Sequence, residues 1–488
     1  MRYNLTFNPF FFLRRHPMTP QQLQKTIRDK KVRFVDFRFT DFHGKFHHIT
    51  VPSSEVDAEY LAEGKNFDGS SIEGWRSIED SDMVLKPDLN TARMDPFVDE
   101  TTMVIVCNVY EPGNKKTYSR CPRSLAADTM QYLKKTGVGD GAIFGPEPEF
   151  FVFDSVQWAN EMHNSGFRIF SEEGAWASNA ELDGFNTGHR PGVKGGYFPV
   201  PPVDSLVDLR NEMCIKLQEF GIQAEVHHHE VATAGQCEIG SRGGPLVPRG
   251  DDNQFLKYVV WNVAHQFGKT ATFMPKPLKG DNGSGMHVHQ SISKKGRNIF
   301  QGKLYGGLSQ EALWYIGGII RHARALNALT NASTNSYRRL MPGFEAPVKL
   351  AYSSRNRSAS IRIPHSSDKA RRVETRFPDP SANPYLCFSA LLLAGLDGIK
   401  NKIDPGKPSD FNLYHNTRSG DRGIQKIGEL CGSLADALDA LDVDRKFLTS
   451  TGVFTDECLD AYIDLKRGEV VRFRAAPQPI EFEMYYSC

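Results

Sequence analysis

Acidic residues recur in short segments whose composition predicts β-strands. In GPEPEFFVFD (145–154), Glu147 and Glu149 are two positions apart, and residues two apart in a strand point to the same face of a sheet. Carboxylates this close repel each other unless a cation lies between them. The pair therefore predicts either two exposed glutamates at the start of a strand or part of a metal site.

A second acidic segment, AEVHHHEVATAGQCE (224–238), contains Glu225, Glu230 and Glu238. Ala234-Gly235 is a plausible turn that would return Glu238 towards Glu230. The triple histidine 227–229 invites a zinc interpretation, but strand geometry turns the middle histidine away from its neighbours and no cysteine is suitably spaced. We expect one of the three to touch a substrate or a metal ion and the others to be structural.

Two further segments alternate chemistry-bearing and apolar residues. NGSGMHVHQS (282–291) places His287 and His289 on one strand face, just after a glycine-rich turn that lets the backbone approach a ligand. In ARRVETRFP (370–378), Arg372, Glu374 and Arg376 share a face. That triplet is compatible with a self-neutralising surface ladder, or with a metal-binding glutamate between arginines that hold phosphate or carboxylate groups.

The remaining candidates are three arginines and one glutamate. Arg355, Arg357 and Arg362 add three cations, and Glu345 lies in a loop that Pro342-Gly343 and Pro347 hold irregular. Glu345 is either an inert loop residue or a mobile general base that closes over a site. A nucleoside triphosphate with Mg²⁺ or Mn²⁺ would account for so many glutamates and arginines in strand-like segments. The metal ions would balance the glutamates, and the phosphates would balance the arginines.

The elements that position these residues divide into two regions. Thr19 and Gln22 predict a capped helix, followed by strands at 32–39 and 103–110 and a polar connection at 111–122. The rest of the chain predicts helices near 123–136, 204–220, 251–270, 309–329, 384–400 and 455–467. We therefore expect an α+β protein with residues 18–120 as one domain, 121–488 as a second, and 1–17 as an extension of uncertain status.

Composition narrows the classes of function. The chain has 488 residues with 59 Lys+Arg against 58 Asp+Glu, so its net charge of +1 gives no reason to expect a nucleic-acid or membrane-surface partner. Its 40% hydrophobic content is ordinary for a globular protein and excludes collagen and disordered classes. No apolar run is long enough to span a membrane, and the eight cysteines lack close pairs, which predicts reduced thiols and a cytoplasmic location.

From about Met18 to the end, the chain resembles the glutamine synthetases of the bacterial type I class. The matching stretches are NFDGSSIEGW (66–75), GPEPEF, HHHEVATAGQCEI, NGSGMHVHQS, RRLMPGFEAPV (338–348), RNRSASIRIP (355–364), ARRVETRFPDPSANPYLCFSALLLAGLDGI (370–399) and FEMYYS (482–487). The resemblance implies a β-grasp-like amino-terminal domain and a catalytic α/β domain with a curved antiparallel sheet, assembled in rings.

The resemblance also implies an activity: ATP-dependent ligation of ammonia to L-glutamate, giving L-glutamine, ADP and phosphate through γ-glutamyl phosphate. Two or three divalent ions, Mg²⁺ or Mn²⁺, would take part. One would be bound by Glu149, Glu230 and Glu238, and another by Glu147, His287 and Glu374.

The substrate residues follow from the same resemblance. Glutamate would be held by Asn282, Gly283, Arg339 and Arg376, and ammonium by Asp68 and Ser71. Arg357 and Arg362 would face the transferred phosphate, and the nucleotide would be surrounded by Glu225, His289, Ser291, Lys369, Arg372 and a neighbour's Trp75. Asp68 would assist deprotonation of ammonium, and Glu345 would shield the intermediate and accept a proton.

The implied assembly is a homododecamer of two hexameric rings whose active sites are shared between subunits. Tyr414, in FNLYHN (411–416), matches the tyrosine that an adenylyltransferase modifies in one subgroup. A ligase for another amine, a catalytically silent relative and a dual-role enzyme that also binds a nitrogen regulator are the alternatives. The intact FDGSS segment favours ammonia, and the complete set of six metal-ligand positions disfavours the silent relative.

Overall fold

A computed structural model describes residues 17–113, 116–178, 188–414 and 427–487; the predicted extension, apart from Pro17, lies outside those ranges. The α-helices are α1 (Pro20–Asp29), α2 (Ala58–Glu63), α3 (Pro122–Thr136), α4 (Val207–Glu219), α5 (Leu246–Gln266), α6 (Gln310–Thr330), α7 (Ser336–Arg339), α8 (Pro384–Asn401), α9 (Leu434–Val443), α10 (Lys446–Thr449), α11 (Asp456–Arg474) and α12 (Pro479–Tyr485).

The strands of the described residues form three sheets. They are β1 (Phe34–Thr40), β2 (Phe46–Pro52), β3 (Lys65–Asp68), β4 (Asp82–Pro87), β5 (Arg93–Met94), β6 (Thr102–Tyr110), β7 (Gly141–Phe153), β8 (Ser155–Asn160), β9 (Ser165–Phe170), β10 (Ala224–His229), β11 (Gln236–Ser241), β12 (Gly244–Pro245), β13 (Thr270–Thr272), β14 (Met286–Lys294), β15 (Arg297–Asn298), β16 (Tyr352–Ser354), β17 (Ile361–Ile363) and β18 (Val373–Thr375).

The amino-terminal region is a six-stranded sheet in the order β2-β1-β6-β4-β3, with β5 also paired to β6. β1 and β6 run parallel, and the other pairs are antiparallel. The predicted capped helix is confirmed as α1: the Thr19 hydroxyl accepts from the Gln22 amide, and the Gln22 side chain accepts from the Thr19 amide. Apolar residues of β1 and β6, including Val35 and Ile105, are fully buried.

The second sheet has ten strands in the order β10-β11-β7-β14-β18-β17-β16, with β12 and β13 on β7 and β15 on β14. Every pair is antiparallel except β16 and β17. The long strand β7 lies between β11 and β14, so Glu149 faces a residue of β11 and Glu147 faces a residue of β14. β8 and β9 form a separate hairpin.

One face of this sheet is apolar and packs against helices. Phe144, Met286 and Val288 belong to the same buried cluster as residues of α3, α6 and α8, and the ring centroids of Phe144 and Phe388 are 5.3 Å apart. Burial of these side chains fixes the pairing register of the strands, since a shift by one residue would turn the apolar side chains to the opposite face of the sheet. The glutamates and histidines are thereby placed on the other face.

The six helices predicted after residue 122 are present as α3, α4, α5, α6, α8 and α11, but some of their ends were predicted wrongly by up to seven residues. α5 begins at Leu246, directly after Pro245, and α11 continues to Arg474. Among the described residues, no helix is both long and apolar enough to cross a membrane. The seven cysteines that the structure describes are free thiols.

Candidate active site

Strand register brings the acidic residues of β7, β10 and β11 together. Glu238 lies opposite Glu149 and, on its other side, opposite His228. Ala234 and Gly235 have positive φ angles of 58° and 86°, so the predicted turn is present, and the Glu230 amide donates to the carbonyl of Gln236. Glu149, Glu230, Glu238 and His228 form what we call the first cluster.

The first cluster is rich in negative charge. His228 Nδ1 lies 3.4 Å from Glu230 Oε1, and its Nε2 lies 3.9 Å from Glu238 Oε1. Burial, together with the charge of Glu230, raises the pKa of Glu149 to about 8, and burial raises the pKa of Glu230 to about 7. Burial and three neighbouring glutamates raise the pKa of Glu238 well above its usual value.

Glu147, Glu374, His287 and His289 form the second cluster, on β7, β14 and β18. His287 lies opposite Glu147, and His289 lies opposite Glu374. His289 Nε2 is 3.1 Å from Glu147 Oε1, while His287 Nδ1 is 3.9 Å from Glu147 Oε2 and 4.0 Å from Glu374 Oε1. The register of β7, β14 and β18 thus brings residues of three separate sequence motifs together in one cluster.

Arginines balance part of the second cluster. Arg362 Nη1 donates to Glu374 Oε2 over 2.7 Å, and Arg376 donates to the other oxygen of the same carboxylate. Burial alone would raise the pKa of Glu374, but these guanidinium groups hold it well below its usual range. The predicted shared face is present: Arg376 donates to Glu374 and Arg372 contacts His289 of the same cluster, while Val373 and Phe377 belong to the apolar core.

The two clusters fit divalent cations by the chemistry of their donors. Ligand atoms of Glu147, His289 and Glu374 lie within 4.8 Å of one another, as do those of His228, Glu230 and Glu238. Burial lowers the pKa of His228 to about 4, so its imidazole is neutral and can donate a lone pair. Carboxylate-rich sets favour Mg²⁺ or Mn²⁺ over softer metals. The geometry groups His228 and His289 with these acids, whereas the predicted ligand sets contain Glu149 and His287.

The other two residues of the triple histidine are structural. His227 lies 2.9 Å from Asn211 Oδ1, and His229 joins the Glu230 carbonyl to the Glu173 carboxylate. The expectation that strand geometry separates the middle histidine from its neighbours agrees with these contacts. A zinc site with all three histidines is incompatible with them.

Residues predicted to hold glutamate lie beside the first cluster. Asn282 is buried, and its Oδ1 has no hydrogen-bond partner among the described residues. Gly283 has no space for a side chain, since a Cβ there would be 2.3 Å from the Pro275 carbonyl. Arg339 is buried and donates to the Phe377 carbonyl over 2.9 Å. An unpaired buried acceptor, with an arginine on the neighbouring backbone, is compatible with a ligand that has both ammonium and carboxylate groups.

Residues predicted to surround a nucleotide line the continuation of the same face. Ser291 follows His287 and His289 along β14, and Arg372 Nε lies 3.1 Å from His289 Nδ1. Glu225, at the far end of β10, accepts from Arg242 over 3.1 Å. Arg357 is exposed and hydrogen-bonds the hydroxyl of Tyr197, and Lys369 is exposed.

The structure does not bring every predicted residue to this face. Asp68 is exposed at the end of edge strand β3, and among the described residues its carboxylate accepts hydrogen bonds only from Ser70 and Ser71. Trp75 is 3% exposed and packs against Phe39 within its own domain. Its contact with a neighbour's nucleotide stays a prediction, and this burial does not favour it.

Two loop residues meet at the rim of the site. Glu345 is exposed and has a φ of 58°, a backbone conformation that non-glycine residues rarely adopt. The Tyr414 hydroxyl donates to the Glu345 carbonyl over 2.7 Å. No sequence pattern connects them, because they are 69 positions apart.

Sequence reasoning missed three polar residues near the first cluster. The Gln236 amide donates to Glu149 Oε2 over 3.1 Å, and Lys276 packs beside Gly283. Tyr197 contacts Arg357 through its hydroxyl. The position of Gln236 two residues before Glu238 was an available clue, since both lie on the same face of β11.

Comparison with known proteins agrees with this geometry. The family described as "Glutamine synthetase, catalytic domain" matches residues 119–485, and "Glutamine synthetase, beta-Grasp domain" matches residues 31–112. The glutamine synthetase of Methylococcus capsulatus is 59% identical over 471 residues, covering 96% of this chain and 100% of the relative. A 3-hydroxylaminophenol mutase of Cupriavidus pinatubonensis is 59% identical over 466 residues, covering 95% and 98%.

A solved structure has the same fold. The cryo-EM structure of Plasmodium falciparum glutamine synthetase superimposes with a TM-score of 0.87 at 30% sequence identity, covering 96% of this chain and 99% of that chain. The agreement extends over both sheets, since nearly the whole of each chain is covered.

Proposed function

Because the chain belongs to the glutamine synthetase family, we propose how its own residues carry out the family's reaction. The chain is an ATP-dependent ligase that joins ammonia to L-glutamate, giving L-glutamine, ADP and phosphate, and so serves nitrogen assimilation. The observation that carries the assignment of roles is the pair of carboxylate clusters on one face of the sheet, bordered by arginines.

We propose that two or three Mg²⁺ or Mn²⁺ ions bind the clusters. Glu149, Glu230 and Glu238 would hold one ion, and Glu147, His287 and Glu374 another, with His228 and His289 close enough to contribute. Divalent ions, when bound, offset the negative charge on the transferred phosphoryl group. The raised pKa values of the first cluster support this proposal, since such acids ionise readily only beside positive charge.

Substrate binding is assigned to the buried polar groups beside the clusters. Asn282 Oδ1 would accept from the glutamate ammonium group, and Arg339 and Arg376 would bind its carboxylates, with Gly283 allowing the close approach. Around ATP we place Glu225, His289, Ser291, Lys369, Arg372 and Trp75. Arg357 and Arg362 would face the γ-phosphoryl group and stabilise its transfer to the γ-carboxylate of glutamate.

Phosphorylation of the glutamate γ-carboxylate replaces a poor leaving group, hydroxide or oxide, with a good one, phosphate. Ammonium has no lone pair, so a base must remove a proton before ammonia attacks the acyl carbon and expels phosphate. We assign that role to Asp68 of a neighbouring subunit, with Ser71 beside it, because Asp68 is exposed at a sheet edge of its own chain. Glu345 would accept a proton from the tetrahedral adduct and exclude water.

We further propose a homododecamer of two hexameric rings. Shared active sites need a neighbour to bring Asp68 to the clusters. The exposed apolar side chains of α12, which include Phe482 and Met484, support burial of this terminus in an assembly. Sedimentation should give a dodecamer, and an active monomer would contradict the proposal. Adenylylation of Tyr414 by an adenylyltransferase and a cytoplasmic location are also proposals.

The test is a coupled assay of ADP and glutamine with purified protein, ATP, glutamate, Mg²⁺ and either ammonium or a panel of amines. We expect glutamine with ammonium alone. Turnover only with another amine would assign the chain to sister ligases, and no turnover with any amine, in protein whose mass excludes adenylylated Tyr414, would contradict the function.

A second activity is favoured by one observation, the relative named 3-hydroxylaminophenol mutase, whose identity of 59% equals that of the Methylococcus relative. We propose that this chain also isomerises 3-hydroxylaminophenol. Incubation without ATP should convert the compound to a product of the same mass. No conversion above that of heat-inactivated protein would exclude this activity.

A further inference from the structure

The Tyr414 hydroxyl joins two active-site segments through their backbones. It donates to the Glu345 carbonyl over 2.7 Å and lies 3.0 Å from the Arg357 carbonyl. One hydroxyl hydrogen is thus shared between two acceptors that belong to different loops. No other described side chain hydrogen-bonds both loops.

Tyr414 is itself anchored to the arginine-bearing segment. The Leu413 amide donates to Ser358 Oγ over 2.9 Å, and Leu413 is buried against Ala351 and Ala359. Asn356 Nδ2 donates to the carbonyl of Phe411 over 2.9 Å. The ring therefore extends from a fixed support, and its hydroxyl is the part that reaches the loop containing Glu345.

The loop at 342–346 has a backbone conformation that requires stabilisation by neighbouring groups. Gly343 and Glu345 both have positive φ angles, 91° and 58°, and for the glutamate this conformation costs on the order of 1–2 kcal/mol. Lys194 Nζ donates to the Gly343 carbonyl over 2.8 Å at the other end of the loop. Tyr414 holds the side of the loop on which Glu345 lies.

We propose that Tyr414 is a positioning residue that clamps the loop of Glu345 over the acyl phosphate. The proposal rests on the proposed function, since it assigns the clamp to that reaction. Without the clamp, water attacks the acyl carbon, the bond from that carbon to the phosphate oxygen breaks, and glutamate and phosphate are released. ATP is then consumed without glutamine being formed.

The clamp also connects the reaction with the proposed modification. An adenylylated Tyr414 oxygen carries no hydrogen, so it cannot donate to the Glu345 carbonyl. Modification and the clamped loop therefore exclude each other. A modified chain should lose coupling between ATP consumption and glutamine formation in the same way as a chain that lacks the hydroxyl.

The test compares Tyr414→Phe with Tyr352→Phe in the full-length protein. Tyr352 is a matched control because its hydroxyl also donates to a backbone carbonyl, that of Gly406 over 2.9 Å, but contacts neither loop. With ATP, glutamate, Mg²⁺ and ammonium, wild type and Tyr352→Phe should form one glutamine for each ADP. Tyr414→Phe should form at least about twofold fewer glutamines per ADP, with hydrogen exchange of the amides of residues 343–346 about fivefold faster.

The outcomes distinguish failure of the clamp from failure of the proposed function. Coupled turnover by Tyr414→Phe, with unchanged amide exchange at residues 343–346, would overturn the clamp while leaving the function intact. A wild-type chain that makes no glutamine would contradict the function, and the exchange rates would still decide whether the hydroxyl holds the loop. A purely structural effect would lower turnover without changing the ratio of glutamine to ADP, and this too would overturn the proposal.

Discussion

Two regions of the molecule bury charge in opposite ways. Between the domains, Arg123 is 5% exposed and donates from Nε and Nη2 to both oxygens of Asp251, from Nη2 to Asp88 and from Nη1 to Asn108. In the first cluster, Glu149, Glu230 and Glu238 are also buried or nearly so, yet among the described residues none of them forms an ion pair with a lysine or an arginine.

The difference separates a structural network from a binding site. Arg123 and Asp251 satisfy each other, and Tyr385 donates to Asp251 over 2.7 Å, so the network needs nothing from outside the chain. The first cluster leaves negative charge without a counterpart, and a chain can tolerate that only if the acids stay protonated or a cation binds. Substitutions in the two regions should therefore have different effects on stability and on turnover.

The largest effect on stability is expected in the structural network. Asp251→Asn should lower the free energy of unfolding by about 3–5 kcal/mol, because it leaves a buried guanidinium without its main partner. Urea denaturation of the metal-free protein measures the change. Asp29→Asn is the control, since Asp29 pairs with Lys25 on the surface at 3.1 Å, and its effect should be within about 0.5 kcal/mol. Equal effects would contradict the distinction.

Removal of a charge from the first cluster should instead affect the reaction. Glu238→Gln should lower kcat for glutamine synthesis by about 10²–10³-fold, because the divalent ion that offsets transition-state charge loses one of its carboxylate ligands. Initial rates at saturating ATP, glutamate and ammonium give the value. Turnover within a factor of two of wild type would remove Glu238 from the site.

The same substitution should not destabilise the metal-free fold. Burial and neighbouring carboxylates raise the pKa of Glu238, so its ionisation costs stability as pH rises, by about 1.4 kcal/mol for each pKa unit. Glu238→Gln should therefore be at least as stable as wild type in EDTA, with an advantage that grows from pH 6 to pH 8.5. Urea midpoints at both values test this. A loss of stability would place Glu238 among the structural charges.

The smallest effect is expected at His322, which bridges α6 to two aspartates. Its ring nitrogens lie 2.7 Å from Asp444 and 3.0 Å from Asp397, and these partners outweigh burial and raise its pKa. A raised pKa stabilises the fold below the unfolded value of about 6.5 and loses this contribution as pH rises through the folded value. The stability difference between wild type and His322→Gln should shrink from pH 6 to pH 9. A constant difference would show that protonation of His322 does not contribute.

Much of the site was predictable because alternate residues of a strand point to the same face of the sheet. Pairs two residues apart, such as Glu147 with Glu149 and His287 with His289, had to share a face, and the turn at Ala234-Gly235 had to return Glu238. Which pairs meet across strands was not predictable from spacing alone. The place of His228 beside Glu238 depends on the register of β10 against β11.

Long-range contacts were beyond the sequence for a different reason. The bond from Tyr414 to Glu345 joins two irregular loops, and no periodic pattern describes either loop. The burial of Trp75 likewise depends on how Phe39 and Tyr118 pack around it. Tertiary packing decides both features after the local elements have formed.

Calorimetric titration of Mn²⁺ into metal-free protein tests the central claim most directly, namely that the unbalanced acids of the catalytic sheet are kept for divalent cations. Wild type should bind at least two ions per chain and gain about 2.7 kcal/mol of stability when free Mn²⁺ is 100 times the dissociation constant. Glu238→Gln should bind fewer ions, while Asp29→Asn should match wild type. Absence of saturable binding by wild type, or equal binding by Glu238→Gln, would contradict the account.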